Sequence, residues 1–410
     1  MALVSGIYDG CRLPKVSSVM YDNSHNQMNE PLKPTIIHAA SFASPYGGNF
    51  IASLRVLAGT CRKEGWAFVL ALPVAAAKKD WCVQLIAEGW QVLFLPDKAS
   101  VLRYAWVLAD LAWSSNAALI HTHFSLYDVS AWVASCLLRL RRRKVRVVWH
   151  AHSDFPVRMT PLRWVKDVLK YRIMGRTVRI ITVSEHLRQQ IIVAGINTTA
   201  IQTVQNGIDV DRAVLATRPR TQVCKDFKIP LDKNVLLLFG WEPLVKGVDI
   251  AMDACERLVC LGLPIVLGIV GTAALREFVA KRTNNAPPSW LYIIPPVENV
   301  ANLYRTASIF ISASRSEGFP YSTGEAMVNQ LPVVLSDLPG VSWAHRTSGA
   351  MFFPSGDSAA LAAAIREVLN WTAEEREQHT VVNDHLIRTE FAVLAWAEQI
   401  MRLYREILGA

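Results

Sequence analysis

From position 34 onward the hydrophobic residues fall into short continuous runs separated by segments of helical spacing. PTIIHAAS (34–41), WAFVLALP (66–73), WQVLFL (90–95), AALIHTH (117–123) and VRVVWH (145–150) carry apolar side chains on both faces, with helical patterns at about 50–63, 81–88, 101–113 and 128–140 between them. Runs of this kind suit parallel strands whose sheet is covered by helices on both sides. After a break at 230–233 the alternation restarts with VLLLFG (235–240), LPIVLGIVG (263–271), LYIIP (291–295), ASIFISAS (307–314), LPVVLSD (331–337) and AMFFP (350–354). The pattern therefore predicts an α/β protein of two Rossmann-like domains. We assign residues 1–33 to a polar extension, 34–210 to the first domain, 211–390 to the second, and 391–410 to a terminal helix packing back on the first. No internal sequence repeat relates the two halves.

Two domains also follow from length, because 410 residues exceed what one core usually serves. The seven cysteines include no C-x-x-C pair, which argues for a reducing compartment and against structural zinc. Residues 1–33 lack the apolar core of a signal peptide, and no apolar run reaches the length of a membrane span, so a cytoplasmic location is expected. The net charge of +9 is concentrated: between positions 136 and 179 stand thirteen basic residues against Asp154 and Asp167. Interleaved Trp164, Val165, Val168, Leu169 and Ile173 make this an amphipathic basic helix suited to an anionic membrane surface, here the inner face of the plasma membrane. A solvated basic face is the simpler alternative. Nucleic acid is not expected as a partner, since no nucleic-acid-binding motif accompanies the charge.

Candidate chemistry centres on ISASRSEGFPYSTGEAMVNQLPVVLSD. It reads as strand, loop, short helix and strand, with Glu317 in the loop and Glu325 at the helix start. Open α/β sheets bind ligands beyond such strand ends. Gly318 and Pro320 shape a turn around Glu317, and the adjacent helix N-terminus offers unpaired N–H groups to a phosphate. For Glu325 a capping box with Ser322 is an equally local explanation. The segment thus suggests a polar, phosphorylated ligand.

Further motifs stand in a fixed order along the chain: Pro45-Tyr46-Gly47-Gly48 after the first strand, IHTH at 120–123, VSEHL at 183–187, QNGID at 205–209, FGWEPLVKGVD at 239–249, and EGFPYSTGEAM at 317–327 followed by PVVLSDLPG. In this order and spacing the chain, from about residue 34 to its end, resembles the retaining glycosyltransferases of family 4, which have the GT-B fold of two Rossmann-like domains facing across a cleft. The resemblance implies a nucleotide-sugar donor bound chiefly by the second domain. Lys246 would neutralise the departing diphosphate. Glu317 would accept hydrogen bonds from the sugar, with Gly318, Phe319 and Pro320 positioning sugar and phosphate, and Glu325 would hold the ribose. Gly47 and Gly48 would close on the diphosphate and acceptor, or simply make a turn. His123 is favoured over His121 as the histidine facing the reaction centre, with His150 and His152 secondary. No metal is assigned to these H-x-H pairs, because no carboxylate or cysteine completes them at ligand spacing.

The implied activity is metal-independent transfer of a sugar, with retention, to the hydroxyl of an acceptor glycan or lipid-linked glycan, in polysaccharide or glycolipid biosynthesis. No cofactor is expected, the nucleotide sugar being substrate. Two positions depart from the family. Trp241 stands where an arginine is usual, so that either Arg315 or a first-domain residue supplies the cation or donor binding is weaker, and Gln330 replaces a glycine. A sugar-nucleotide-binding partner protein with little turnover and a sugar-nucleotide epimerase are the alternative classes.

Overall fold

The computed structural model describes residues 34–152 and 161–409. The assigned extension 1–33, together with Arg158 and the side chains of Arg163 and Trp164, lies outside this description. In the first half, β1 (Thr35–Ala40), β2 (Ala67–Pro73), β3 (Gln91–Leu95), β4 (Ala117–His123), β5 (Arg146–Ala151), β6 (Arg179–Thr182) and β7 (Ile201–Thr203) alternate with α1 (Gly48–Lys63), α2 (Asp80–Ala87), α3 (Val101–Ser114), α4 (Asp128–Leu140), α5 (Pro161–Ile173) and α6 (Glu185–Val193). Two short helices, α7 (Val210–Val214) and α8 (Arg220–Phe227), lead into the second half. There β8 (Asn234–Phe239), β9 (Ile265–Val270), β10 (Leu291–Ile294), β11 (Ile309–Ser312), β12 (Val333–Ser336) and β13 (Ala350–Phe353) alternate with α9 (Val248–Cys260), α10 (Ala273–Arg282), α11 (Ala301–Thr306), α12 (Tyr321–Val328) and α13 (Ser358–Leu369). The chain then continues through α14 (Ala373–Glu390) and α15 (Val393–Leu408).

The strands form two fully parallel sheets, ordered β3-β2-β1-β4-β5-β6-β7 and β10-β9-β8-β11-β12-β13. In each, the order reverses between its first and fourth strands, and a ligand site is favoured beyond the carboxyl ends of the strands at such a point. The two-domain Rossmann-like architecture anticipated from the hydrophobic runs is therefore present, with one topology built twice from unrelated sequence.

Parallel strands covered on both faces explain the cores. β1, β4, β8, β9 and β11 are almost wholly buried because helices flank both sides of each sheet. Helix α15 leaves the second half and packs with the first. Trp396, Ile400, Met401 and Tyr404 join Ile36, Phe50, Leu54 and Leu57 in one apolar cluster. Backbone hydrogen bonds between Ile208 and Phe391 and between Val393 and Ile208, at 2.7 and 3.0 Å, fix the crossing.

Candidate active site

The loops beyond β1, β5, β8 and β11 converge on a cavity of about 380 Å³ lined by both halves. Glu317 follows β11, and its Oε1 accepts from Lys246 Nζ at 2.7 Å and from Ser314 Oγ at 2.6 Å. Its Oε2 has no hydrogen-bond partner among the described residues, which leaves an acceptor available at the cavity wall. Lys246 is brought there by a tight turn at Gly247. That residue has φ 63°, and a Cβ on it would stand 1.9 Å from the carbonyl oxygen of Ala313, so only glycine lets the β8–α9 loop press onto β11.

Glu325 lies one turn into α12, buried, and its carboxylate pairs with Arg212 while Oε2 accepts from Tyr304 Oη at 2.9 Å. Burial raises its pKa above the usual carboxylate range, against the pull of Arg212 and the Tyr304 hydrogen bond. The capping box considered from sequence does not form. Helix α12 begins at Tyr321 with Pro320 as its cap, so Ser322 is already inside the helix and Glu325 is turned away from the cap.

Gly47 and Gly48 both line the cavity. Gly48 opens α1 at φ 55°, and a Cβ there would meet nothing within 4 Å, so the backbone is bare toward the cavity. The QNGID motif is the tie between these parts. Asn49 Nδ2 donates to the Gly207 carbonyl at 2.6 Å, the Asp209 N–H donates to Asn49 Oδ1 at 2.9 Å, and Asn206 Nδ2 donates to the Phe319 carbonyl at 3.2 Å. The glycine loop and the Glu317 loop are thereby held in one frame across the two halves. Phe319 is buried against Trp343, and Pro320 lines the cavity; Gly318 packs instead on the backbone of His152, where a Cβ would stand 2.5 Å from the carbonyl oxygen.

His123 does not face the cavity. It is fully buried, and the histidine on the wall is His152. Sequence periodicity places His121 and His123 on one side of β4, as found, but cannot tell that a further ring stands between them and the cleft. His38, the fourth residue of β1, belongs to no motif of the sequence, although a polar ring inside the largely apolar TIIHAA is a usable signal. Tyr404 Oη bonds His121 Nδ1 and His38 Nε2, His38 Nδ1 meets His123 Nε2 at 3.1 Å, and His123 Nδ1 meets His152 Nε2 at 3.1 Å. Burial lowers the pKa of His38 and of His152 to about 3, and burial reinforced by neighbouring rings lowers those of His121, His123 and His150 well below the usual value. These rings are neutral at physiological pH.

The cation question raised by Trp241 is decided geometrically. Arg315 is held in a two-pronged pair with Asp249, at 2.9 and 2.7 Å, and donates to the Leu244 carbonyl, so it braces the loop and does not line the cavity. The second cation of the cavity is Arg212, which follows QNGID by three residues. Its N–H is capped by the Asp209 side chain at 3.1 Å, which begins α7 at that point. Trp241 itself lines the cavity beside Phe239. Gln330 adopts φ 55°, the left-handed conformation where glycine is usual.

Residues 57–212 match the profile of Glycosyltransferase Family 4, and residues 233–370 match Glycosyl transferases group 1. The D-inositol 3-phosphate glycosyltransferase of Xylanimonas cellulosilytica is 26% identical over 60% of this chain and 66% of its own, and that of Mycobacteroides abscessus is 25% identical over 61% and 58%. The chain thus spans less than two thirds of the length of these relatives. Among solved structures, a glycosyltransferase from Rickettsia africae has a TM-score of 0.77 at 16% identity, over 92% of this chain and 99% of its own. Anabaena Alr3699/HepE, solved in complex with UDP and glucose, has a TM-score of 0.75 at 16% identity over 90% and 98%. One profile matches the first Rossmann-like half and the other the second, in the order in which the fold presents them, and the chain belongs to glycosyltransferase family 4, with the GT-B fold.

Proposed function

We propose that this protein transfers a hexosyl residue from a nucleotide sugar to an acceptor hydroxyl, with retention at the anomeric carbon and without a metal ion. The observation that carries this reading is the pairing Lys246–Glu317 and Arg212–Glu325 around one cavity at the N-terminus of α12. A diphosphate placed there would meet Lys246 and the first-turn N–H groups of α12, which offset the charge that a metal offsets elsewhere. Glu317 Oε2 would accept from sugar hydroxyls and Glu325 from the ribose, with Arg212 released toward phosphate. In the step itself the bond from the anomeric carbon to the diphosphate oxygen breaks, the acceptor oxygen bonds the same carbon on the same face, and the acceptor proton passes to the departing diphosphate. The adjoining cavity, lined by Tyr46, Arg55, Asp80, Trp81 and Arg212, is the place we assign to the acceptor.

A fold neighbour was solved with UDP-glucose, so UDP-sugars are the first donors to test. Release of UDP by the purified protein with a lipid-linked or glycan acceptor is the expected result. Donor binding without release would favour the second reading, a binding protein of low turnover, which Trp241 on the cavity wall supports. Isomerised donor in the absence of acceptor would indicate an epimerase instead.

We place the protein in the cytoplasm, at an anionic membrane surface, with acceptor glycans or lipid-linked glycans of polysaccharide or glycolipid synthesis as substrates. In support, Val165, Leu169 and Ile173 form an exposed stripe on α5 beside exposed Lys166 and Arg172. Not all of the basic run is available to lipid: Lys170 pairs with Asp128 at 2.7 Å, and Arg143 donates to Trp113 and Asn116. No helix of the described residues is long and apolar enough to cross a membrane.

A further inference from the structure

At the carboxyl ends of β1, β4 and β5 five imidazoles gather: His38, His121, His123, His150 and His152. Of their ten ring nitrogens, six are engaged in the chain that runs from Tyr404 to His152. The other four, His121 Nε2, both nitrogens of His150 and His152 Nδ1, are buried without a hydrogen-bond partner among the described residues. Orphaned polar atoms are uncommon in folded proteins, and His150, with both nitrogens unpartnered beside the facing His123–His152 pair, calls for an occupant.

Two triads bring their nitrogens within 4.8 Å of one another, His38/His121/His123 and His123/His150/His152. The inner triad has no outlet, whereas His152 in the outer one lines the cleft. His123 Nδ1 and His152 Nε2 are 3.1 Å apart, close to the ~3.3 Å that separates two nitrogens each ~2.0–2.1 Å from a tetrahedral zinc ion. His150 lies against His152 with ring centroids 4.1 Å apart and has two uncommitted nitrogens, one of which reaches the ion when its ring turns out of the stack. Metal-bound histidines are normally oriented through their other nitrogen, and His123 has that support from His38, itself held by Tyr404. We propose that His123, His150 and His152 bind a borderline divalent metal ion of the zinc class, with its fourth position open to the cleft. The all-imidazole set excludes magnesium and calcium, which prefer oxygen ligands. Sequence spacing showed only isolated H-x-H pairs; the third ligand comes from a neighbouring strand. Its ligands are distinct from Lys246 and the glutamates, although His152 lines the same cavity, and metal binding is read without sugar transfer.

The test uses the full chain, stripped with chelator and then equilibrated with Zn²⁺ or Co²⁺, read by elemental analysis and by visible absorption. One ion per chain and the intense bands of tetrahedral Co²⁺ are expected. His150→Gln and His152→Gln should each weaken binding at least ~10-fold, with circular dichroism confirming the fold, and His121→Gln should leave it in place. The rim position of His152 makes its variant the safer one should His150→Gln not fold. Binding unaffected by both His150→Gln and His152→Gln would overturn the proposal, as would loss in His121→Gln alone or the weak spectrum of octahedral Co²⁺.

Discussion

The two halves of this protein share one strand order but furnish opposite chemistry at equivalent strand ends. In the first half the ends of β1, β4 and β5 carry neutral, buried histidines knitted into a chain ending on α15. In the second, the segments after β8 and β11 carry charged side chains paired across the cavity, Lys246 with Glu317 and, by way of α7, Arg212 with Glu325. A common topology supplies only the place, at the point where strand order reverses; side chains decide whether that place is a rigid uncharged wall or an electrostatic grip.

The sharpest way to break this contrast is to remove the grip. Lys246→Ala or Glu317→Ala is expected to lower the transfer rate by about 10²–10³ with little change in thermal midpoint, as measured by nucleotide release and by melting; near-normal turnover in either would reassign the site. Next in size, Glu325→Gln should weaken donor affinity about 10- to 100-fold, the worth of a hydrogen bond to a charged group, with a modest fall in thermal midpoint because Arg212 loses its charged partner. Calorimetric titration with a nucleotide sugar checks it.

Acid should separate the halves by sign. The folded pKa of His38, lowered by burial to about 3, lies below its unfolded value near 6.5. The unfolded chain therefore binds the extra proton, and stability falls on acidification from about pH 6.5 toward about 3, by roughly 1.4 kcal/mol per pH unit for that ring. Glu325 works the other way: its raised folded pKa favours the folded state at low pH, and that contribution is lost as pH rises through the folded value. Urea midpoints at pH 7 and pH 5 measure the balance, and Glu325→Gln removes the opposing contribution; a midpoint in that variant that does not fall on acidification would mean that the histidine wall is not neutral and buried. The smallest effect expected is at Trp241. Replacing it with arginine should tighten donor binding by about fivefold, the value of one partly exposed charge contact of ~1 kcal/mol; no change would show that Arg212 already suffices.

Much of the scaffold was readable in advance. Strands buried on both faces leave continuous apolar runs, so both sheets apart from the short edge-side β6 and β7, the helices between the first five strands, and the loops bearing Glu317, Lys246 and the glycine pair could be placed from pattern and motif. Less legible was what those loops touch. Arg212, Tyr304 and His38 contribute from segments 113, 21 and 85 residues away from the groups they bond. Likewise, the exchange of His123 for His152 at the cavity wall depends on how β5 lies beside β4.

By itself the chain's order of apolar runs determined a two-domain Rossmann-like architecture, because periodicity and local turn chemistry are properties of neighbouring residues, and its motifs carried the resemblance to family 4 glycosyltransferases. Only tertiary structure decided which cation serves which carboxylate, that Arg315 is spent on Asp249, and that five histidines from separate strand ends share one buried cluster. Such pairings depend on distances across strands and between halves, and a linear spacing does not encode them until parallel pairing has set the register.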